Sequence, residues 1–471
     1  MSQNIIIQRE QIQKGNPKIE LSKPCRIGDG ILSLSKDELD QKSSDFESLK
    51  GHKTISFFIP ASGSGSRMFG FLYEYMQSSN PSSEAIKFTE SFIQNLKDFA
   101  FYSQLPEHYQ KQLEEGDVDI KGLIEFILTT NGLDYGGLPK GLVPFHFHDE
   151  KWHTPFQEHL IQGTQIAGED ATFHFTINRL FEDKITDCIE TYEQQSNRNF
   201  NITYSEQNPE SNSYAFGKNL TPVKDENGKV ITRPAGHGAL LQNLNSIDSD
   251  FIFIRNIDNI QHPSRADKSL LYHKALGGVL IEFQNSIHDL LRQLDQGMDV
   301  SEEMARLNEK YGLQISNEIL TKPELLHTYL NRPLRICGMV KNEGQPGGGP
   351  FWVSDEKGHI SRQIVEKAQI SQKGDQLDIL VMATHFNPVE LICAVKDYEG
   401  NKFELNQFKN QDLYFIVNKT HEGKPIRYIE KPGLWNGAMA EWITLFYEID
   451  TQCFSPVKTV LDLLNDSHNP Q

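Results

Sequence analysis

Three polar segments of this sequence carry residues suited to phosphate chemistry. Pro60-Ala61-Ser62-Gly63-Ser64-Gly65-Ser66-Arg67-Met68 follows an apolar run, Thr54 to Ile59, and precedes a helical pattern. Glycines at 63 and 65 let the backbone approach a phosphate, a helix N-terminus supplies N–H donors, and Arg67 offers a forked cation. The loop is neither a Walker A motif, since no Gly-Lys-Ser/Thr follows, nor GxGxxG, since Met68 stands at the last glycine. A plain glycine turn is the competing explanation. Asn256-Ile257-Asp258-Asn259 ends the clearest strand pattern of the chain, Asp250 to Asn256. A carboxylate at the carboxyl end of such a strand suits Mg²⁺ held against phosphates, and equally suits a turn or a helix cap. Leu138-Pro139-Lys140-Gly141 fixes a lysine beside a turn, although most such lysines are merely exposed.

Two further segments say little alone. Arg233-Pro234-Ala235-Gly236-His237-Gly238 flanks a histidine with glycines, as a ligand loop or a helix-capping loop would. Phe454-Ser455-Pro456-Val457-Lys458-Thr459 carries a lone lysine near the last residue. Phe145-His146-Phe147-His148-Asp149-Glu150 with His153 has the look of a metal cluster. On a strand, His146 and His148 share a face, and a structural role competes with zinc. Glu343 to Pro350 is a glycine-rich loop with no helix after it, either flexible or a backbone wall against a ligand. Gln207 offers the paired donor and acceptor that a nucleobase edge requires, or belongs to a solvated turn.

Taken in order, these segments resemble the UDP-sugar and UDP-N-acetylhexosamine pyrophosphorylases, and in overall wording a bacterial branch of that superfamily. The family's phosphate loop Leu-x-Gly-Gly-x-Gly-Thr-Arg-Leu is similar to Pro60–Met68, which departs from it at Pro60 and Ser62. Its Pro-Lys-Gly is matched at 139–141 and its Pro-x-Gly-Asn/His-Gly at 234–238. Its strand-ending Asp-Asn is matched at 258–259 and its Phe-Ser-Pro-Leu-Lys at 454–458, and the stretch Gln363 to Ile370 resembles its Val-Val-Glu-Tyr segment beside the sugar. The resemblance spans roughly residues 54 to 465 and implies formation of a nucleotide sugar from an NTP, by preference UTP, and a sugar 1-phosphate, with release of pyrophosphate. It implies Ser62, Gly63, Gly65, Gln207, Gly236, His237 and Gly238 as nucleotide contacts. Arg67, Lys140 and Lys458 become catalytic cations, Asp258 the ligand of Mg²⁺ or Mn²⁺, and Glu366 the sugar contact. The family's Asn-Ala-Gly-Asn segment has no clear match; Asn387, in Thr384 to Pro388, stands in for it. A nucleotide-sugar-binding protein on a degenerate transferase core is the alternative.

The elements that must position these residues form an α/β pattern. Strands alternating with helices over the first 300 residues predict a mostly parallel mixed sheet flanked by helices, and the resemblance implies a Rossmann-like, GT-A type core. The division expected is an N-terminal surface extension at 1–50, a nucleotidyltransferase core at 51–330, and a sugar-side α+β region at 331–471. Residues 70–137 read as a helical insertion beginning at the phosphate loop and returning into Pro139-Lys140, either a lid hinged at Gly70, Gly136 and Gly137 or a docked decoration. Strands are expected at 378–382, 391–395 and 413–417, and a helix near 437–448.

Bulk properties narrow the partners. The 471 residues carry 46 basic and 64 acidic side chains, a net charge of −18, which disfavours nucleic acid and anionic membrane as partners. No run of about 18 apolar residues exists for a membrane span. The polar start, Met1 to Lys14, and five scattered cysteines without a CxxC pair lead to an expectation of the cytoplasm.

Overall fold

The structure is a computed structural model describing residues 3–344, 347–355, 358–371 and 374–470. The chain packs into two compact units, each discontinuous in sequence: 1–55, 207–254 and 274–449 form one, and 56–206, 255–273 and 450–471 the other. The three-part division drawn from the sequence follows chain order; compactness groups the residues differently.

The second unit holds an all-parallel set of strands, Ile55–Pro60 beside Thr172–Thr176 beside Asn201–Ser205. The first of these, five of its six residues buried, is the continuous apolar run typical of a parallel strand covered on both faces. Helices Pro155–Ala167 and Glu182–Ser196 connect the three. The former starts with a capping box, Thr154 with Gln157, and its Gly163 lets it press on the Phe173 ring, where a Cβ would sit 2.3 Å from the ring edge.

The first unit is mixed. Leu334–Lys341 pairs in parallel with Ile443–Glu448 and antiparallel with Leu391–Ala394, which in turn pairs antiparallel with Phe251–Ile254. Helix Lys36–Leu49 crosses helix Asp267–Asp295 at Gly277 and Gly278, where a Cβ on Gly278 would lie 2.1 Å from the Lys42 carbonyl oxygen. The α/β class with mostly parallel pairing flanked by helices is therefore the expected one. Among the described residues no helix is long and apolar enough to cross a membrane.

Three expectations are corrected. Residues 1–50 are no mere surface extension: Leu21–Pro24 pairs with Gly349–Ser354, Gly30–Leu32 pairs in parallel with Ile443–Glu448, and Phe46 is fully buried. Residues 378–382 do not form a strand but lie largely in helix Asp375–Val381. Asp375 and Asp378 occupy its first turn, and Ile379 and Leu380 pack on the Leu21, Phe351 and Ile370 cluster. The helix expected near 437–448 is a short turn, Gly437–Met439, and then strand Ile443–Glu448. The β-branched and aromatic run Ile-Thr-Leu-Phe-Tyr, buried throughout, belongs between two strands.

The insertion is helical, with helices Gly70–Gln77, Ser83–Gln94, Glu107–Glu115 and Ile120–Leu128. A chain of ring contacts, Phe71–Phe92–Phe99–Phe101–Tyr135, runs through it. Gly136 is no free hinge: its amide donates to the Leu128 carbonyl, and a Cβ there would lie 1.8 Å from the Tyr73 hydroxyl. The Tyr135 ring also stacks on Phe69, outside the insertion (6.4 Å between centroids), and this contact favours a docked element. Hydrogen exchange should find the amides of 92–128 slow without nucleotide and unchanged by it, with gained protection confined to 60–68; new protection across 70–137 would instead establish a lid.

Candidate active site

Strand Ile55–Pro60 ends at the glycine loop, and the loop is fastened to the Pro139-Lys140 turn on both sides. The Gly65 amide donates to the Leu138 carbonyl (2.8 Å) and the Lys140 amide to the Gly63 carbonyl (2.9 Å). Gly65 is glycine because a Cβ would press on the Leu138 and Tyr135 carbonyls, both 2.9 Å away. Gly63 faces open space and Ser62 is exposed, which leaves this stretch of backbone available to a ligand.

The turn holding Asp258 is anchored beside the same strand, since the Arg255 amide donates to the Phe58 carbonyl (3.2 Å). The segment from Cys453 to Val457 is laced to that turn. The Val457 amide donates to the Asp258 carbonyl (3.0 Å), the Ser455 amide to Asn259 Oδ1 (2.8 Å), and the Gln261 side chain to the Cys453 carbonyl (3.0 Å). Asp462 then accepts from the Lys458 and Thr459 amides (2.8 and 2.7 Å) and fixes where the Lys458 side chain departs.

Two lysines meet on one carboxylate as a result. Lys140 Nζ lies 2.9 Å and Lys458 Nζ 3.4 Å from Asp258 Oδ2, and Lys140 also donates to the Val457 carbonyl (2.6 Å). Lys140 and Asp258 have side chains only 12% and 13% exposed, whereas Lys458 is 61% exposed. Burial disfavours ionised Asp258, but Lys140 and Lys458 outweigh it and hold its pKa below the usual carboxylate range. Burial lowers the Lys140 pKa despite Asp258, and Lys458 and Arg67 lower it further. Three cations against one carboxylate leave a surplus of positive charge at the glycine loop, the electrostatic arrangement that suits a polyphosphate.

The residues expected to contact the nucleoside and the sugar lie in the first unit. The Gln207 amide is within hydrogen-bond reach of Asn212 Oδ1 (3.3 Å). Asn212 and Gly238 border one cavity of about 470 Å³ that is also lined by Lys409 and Lys431. Gly236 has φ +73°, a conformation that favours glycine. Gly238 has a packing reason of its own, a Cβ there falling 2.0 Å from the Pro432 carbonyl oxygen. His237 stacks on Trp435 (4.3 Å between centroids) and its Nδ1 accepts from the Leu434 amide (3.0 Å). Burial lowers its pKa to about 4, so the ring is neutral. Glu366 and Asn387 both border Gly348: the Asn387 amide donates to the Gly348 carbonyl (2.9 Å), and a Cβ on Gly348 would lie 3.1 Å from Glu366 Oε1. Burial raises the Glu366 pKa.

Sequence reasoning missed Asn436, buried, whose amide donates to the Ile364 carbonyl (3.0 Å) and approaches Glu366 (3.5 Å). The signal available was its Gly433-Leu434-Trp435-Asn436-Gly437 turn. Of the glycine-rich loop Glu343–Pro350, Gln345 and Pro346 lie outside the described residues.

Fold and site thus define an α/β protein with a glycine loop and a cationic cluster at the ends of its strands. The chain belongs to the family described as a domain of unknown function, DUF4301, which matches residues 1–469. No curated protein matches it. Among solved structures, it is similar to the uridine diphosphate N-acetylglucosamine pyrophosphorylase of Trypanosoma brucei, in complex with an inhibitor. The TM-score is 0.50 and the identity 12%, over 98% of this chain and 74% of that one. A mutant UDP-glucose pyrophosphorylase of Leishmania major, in complex with UDP-glucose (TM-score 0.43, 13% identity), and a UDP-glucose phosphorylase of T. brucei (0.45, 12%) match over the same shares. At 12% identity the likeness to the first of these is one of fold alone.

Proposed function

We propose that the protein is a nucleotidyltransferase that joins an NTP, by preference UTP, to a sugar 1-phosphate and releases pyrophosphate. The observation that supports this most is the meeting of Lys140 and Lys458, 318 residues apart in sequence, on Asp258 Oδ2 beside the glycine loop. A phosphate oxygen of the sugar attacks the α-phosphorus in line; the new P–O bond forms as the bond to the β-phosphate oxygen breaks. Such a reaction needs positioning and charge neutralisation and no covalent intermediate.

In this proposal Ser62, Gly63, Gly65 and Arg67 hold the triphosphate, Lys140 neutralises the departing pyrophosphate, and Lys458 lies between the reacting phosphates. Gln207, Gly236, His237 and Gly238 contact the nucleoside, and Glu366 and Asn387 the sugar. Asp258 suits Mg²⁺ or Mn²⁺ shared with phosphate oxygens, because a magnesium site needs only one or two carboxylates when the substrate supplies further ligands. The ion would neutralise phosphate charge; two ammonium groups on the same oxygen favour its arrival together with the nucleotide. The scattered cysteines, none of which forms a disulfide among the described residues, suit the cytoplasm as the place of action, and membership of a bacterial branch rests on the wording of the motifs.

The deciding experiment is pyrophosphate release from UTP, ATP, GTP and dTTP against a panel of sugar 1-phosphates with Mg²⁺, repeated in excess chelator. Turnover is expected with UTP and one or a few sugars, and none in chelator. A clear purine preference would remove the uracil assignment, and full turnover in chelator the metal. Tight nucleotide binding with no turnover against any sugar would point to a binding protein.

A further inference from the structure

A second cluster of chemistry-bearing side chains lies in the same unit, apart from the lysines. The hairpin His146–His148 and Lys151–His153 lays its histidines against the first turn of helix Pro155–Ala167, which carries Glu158. Rings of His148 and His153 stack almost parallel, with centroids 3.9 Å apart. Each of His148, His153 and Glu158 offers a ligand atom, and these atoms all lie within 4.8 Å of one another. Glu158 is fully buried and His153 is 4% exposed.

We propose that His148, His153 and Glu158 bind one divalent transition-metal ion of the zinc class. A fully buried carboxylate needs partners for both of its oxygens. Here Glu158 Oε1 is met by His146 Nδ1 (2.8 Å) and His148 Nε2 (3.0 Å), while Glu158 Oε2 is buried without a hydrogen-bond partner. A buried, unsatisfied carboxylate oxygen beside two imidazoles is the pattern a bound cation would complete. Two imidazoles and one carboxylate form a donor set that zinc accepts with a fourth position open. A cavity of about 180 Å³ lies beside His148, bordered also by His262 and His468, and gives that side of the cluster access to water.

The surroundings support the ligands. His146 holds Glu158 from behind, and its other nitrogen meets His468 Nδ1 (3.0 Å), whose Nε2 in turn lies 2.9 Å from the Ser455 carbonyl. Such second contacts orient metal ligands and commonly change affinity by about 10–100-fold. The chain Glu158–His146–His468–Ser455 ends in the segment that presents Lys458, so the ion would also steady that segment.

Equilibrium dialysis of the full chain against Zn²⁺, and cobalt(II) titration followed by visible absorption, test the site. One ion per chain and ligand-field bands of a four-coordinate cobalt site are expected. His148→Ala should weaken binding at least tenfold, and His52→Ala, an exposed histidine elsewhere, should leave it unchanged. X-ray absorption of the zinc-loaded wild type needs no variant and should show imidazole and oxygen ligation. No binding at micromolar metal, binding indifferent to His148→Ala, or sulfur ligation would each overturn the proposal. Asp258→Asn should not change the zinc stoichiometry, which separates this site from the catalytic reading.

Discussion

Lys458→Ala is expected to lower kcat for pyrophosphate release by roughly a hundredfold or more, the usual loss when one preorganised electrostatic stabiliser is removed. The expectation rests on position. The ammonium approaches Asp258 at 3.4 Å, yet the side chain is 61% exposed, so it reaches toward solvent where a ligand would bind. Its backbone is held independently by the Asp462 carboxylate, so truncation beyond Cβ leaves the loop in place. An exposed ion pair adds little to stability, and thermal unfolding should shift hardly at all. The combination of lost turnover and unchanged melting marks a catalytic cation. Near-normal kcat would remove Lys458 from the site; an equal loss of melting temperature would make it structural.

Asp258→Asn should behave differently, because its carboxylate is a buried partner as well as a candidate metal ligand. Without it, Lys140 keeps the Val457 carbonyl but loses its only charged partner among the described residues, and it remains crowded by Lys458 and Arg67. The expected cost is about 1–3 kcal/mol at neutral pH, the range for stranding a buried hydrogen-bonding group. Its pH dependence follows from the depressed Asp258 pKa. A carboxylate whose folded pKa is lowered stabilises the fold above the unfolded value, near 4, and that stabilisation disappears as pH falls through the folded value. Denaturant unfolding should therefore separate wild type from variant at pH 7 and bring the two curves together in strong acid. The magnesium concentration giving half-maximal rate should rise in the variant. Unchanged stability at pH 7 together with an unchanged magnesium requirement would contradict both roles.

Much of the fold was legible because it is written locally. Phe57, Phe58 and Ile59 form an uninterrupted apolar run before a glycine loop, and a run of that kind is a buried parallel strand. Phe251–Ile254 and the long helix Asp267–Asp295 were equally plain. The errors fell where a short apolar run suits either periodicity. Residues 375–381 alternate poorly, and their acidic first turn decided for a helix. Residues 443–448 contain no breaker, and only their place between two strands made them a strand. Within the candidate site, Lys140, Asp258 and the glycine loop could be proposed from turn chemistry and position at strand ends.

By itself, then, the sequence determined the residue types able to hold phosphate, the order of the motifs and the elements on which most of them stand. Tertiary structure alone decided which of them meet. Lys140, Asp258 and Lys458 are separated by 118 and 200 residues, and no local periodicity connects them. Their meeting depends on the 453–457 segment satisfying its backbone donors and acceptors on the Asp258–Gln261 turn. The same is true of Glu158 and His468, neither of which stood out in the sequence: His468 joins the histidine hairpin from 322 residues beyond His146. Burial forces such distant polar groups to find partners, and which partner is nearest is a property of packing that side-chain spacing along the chain does not encode.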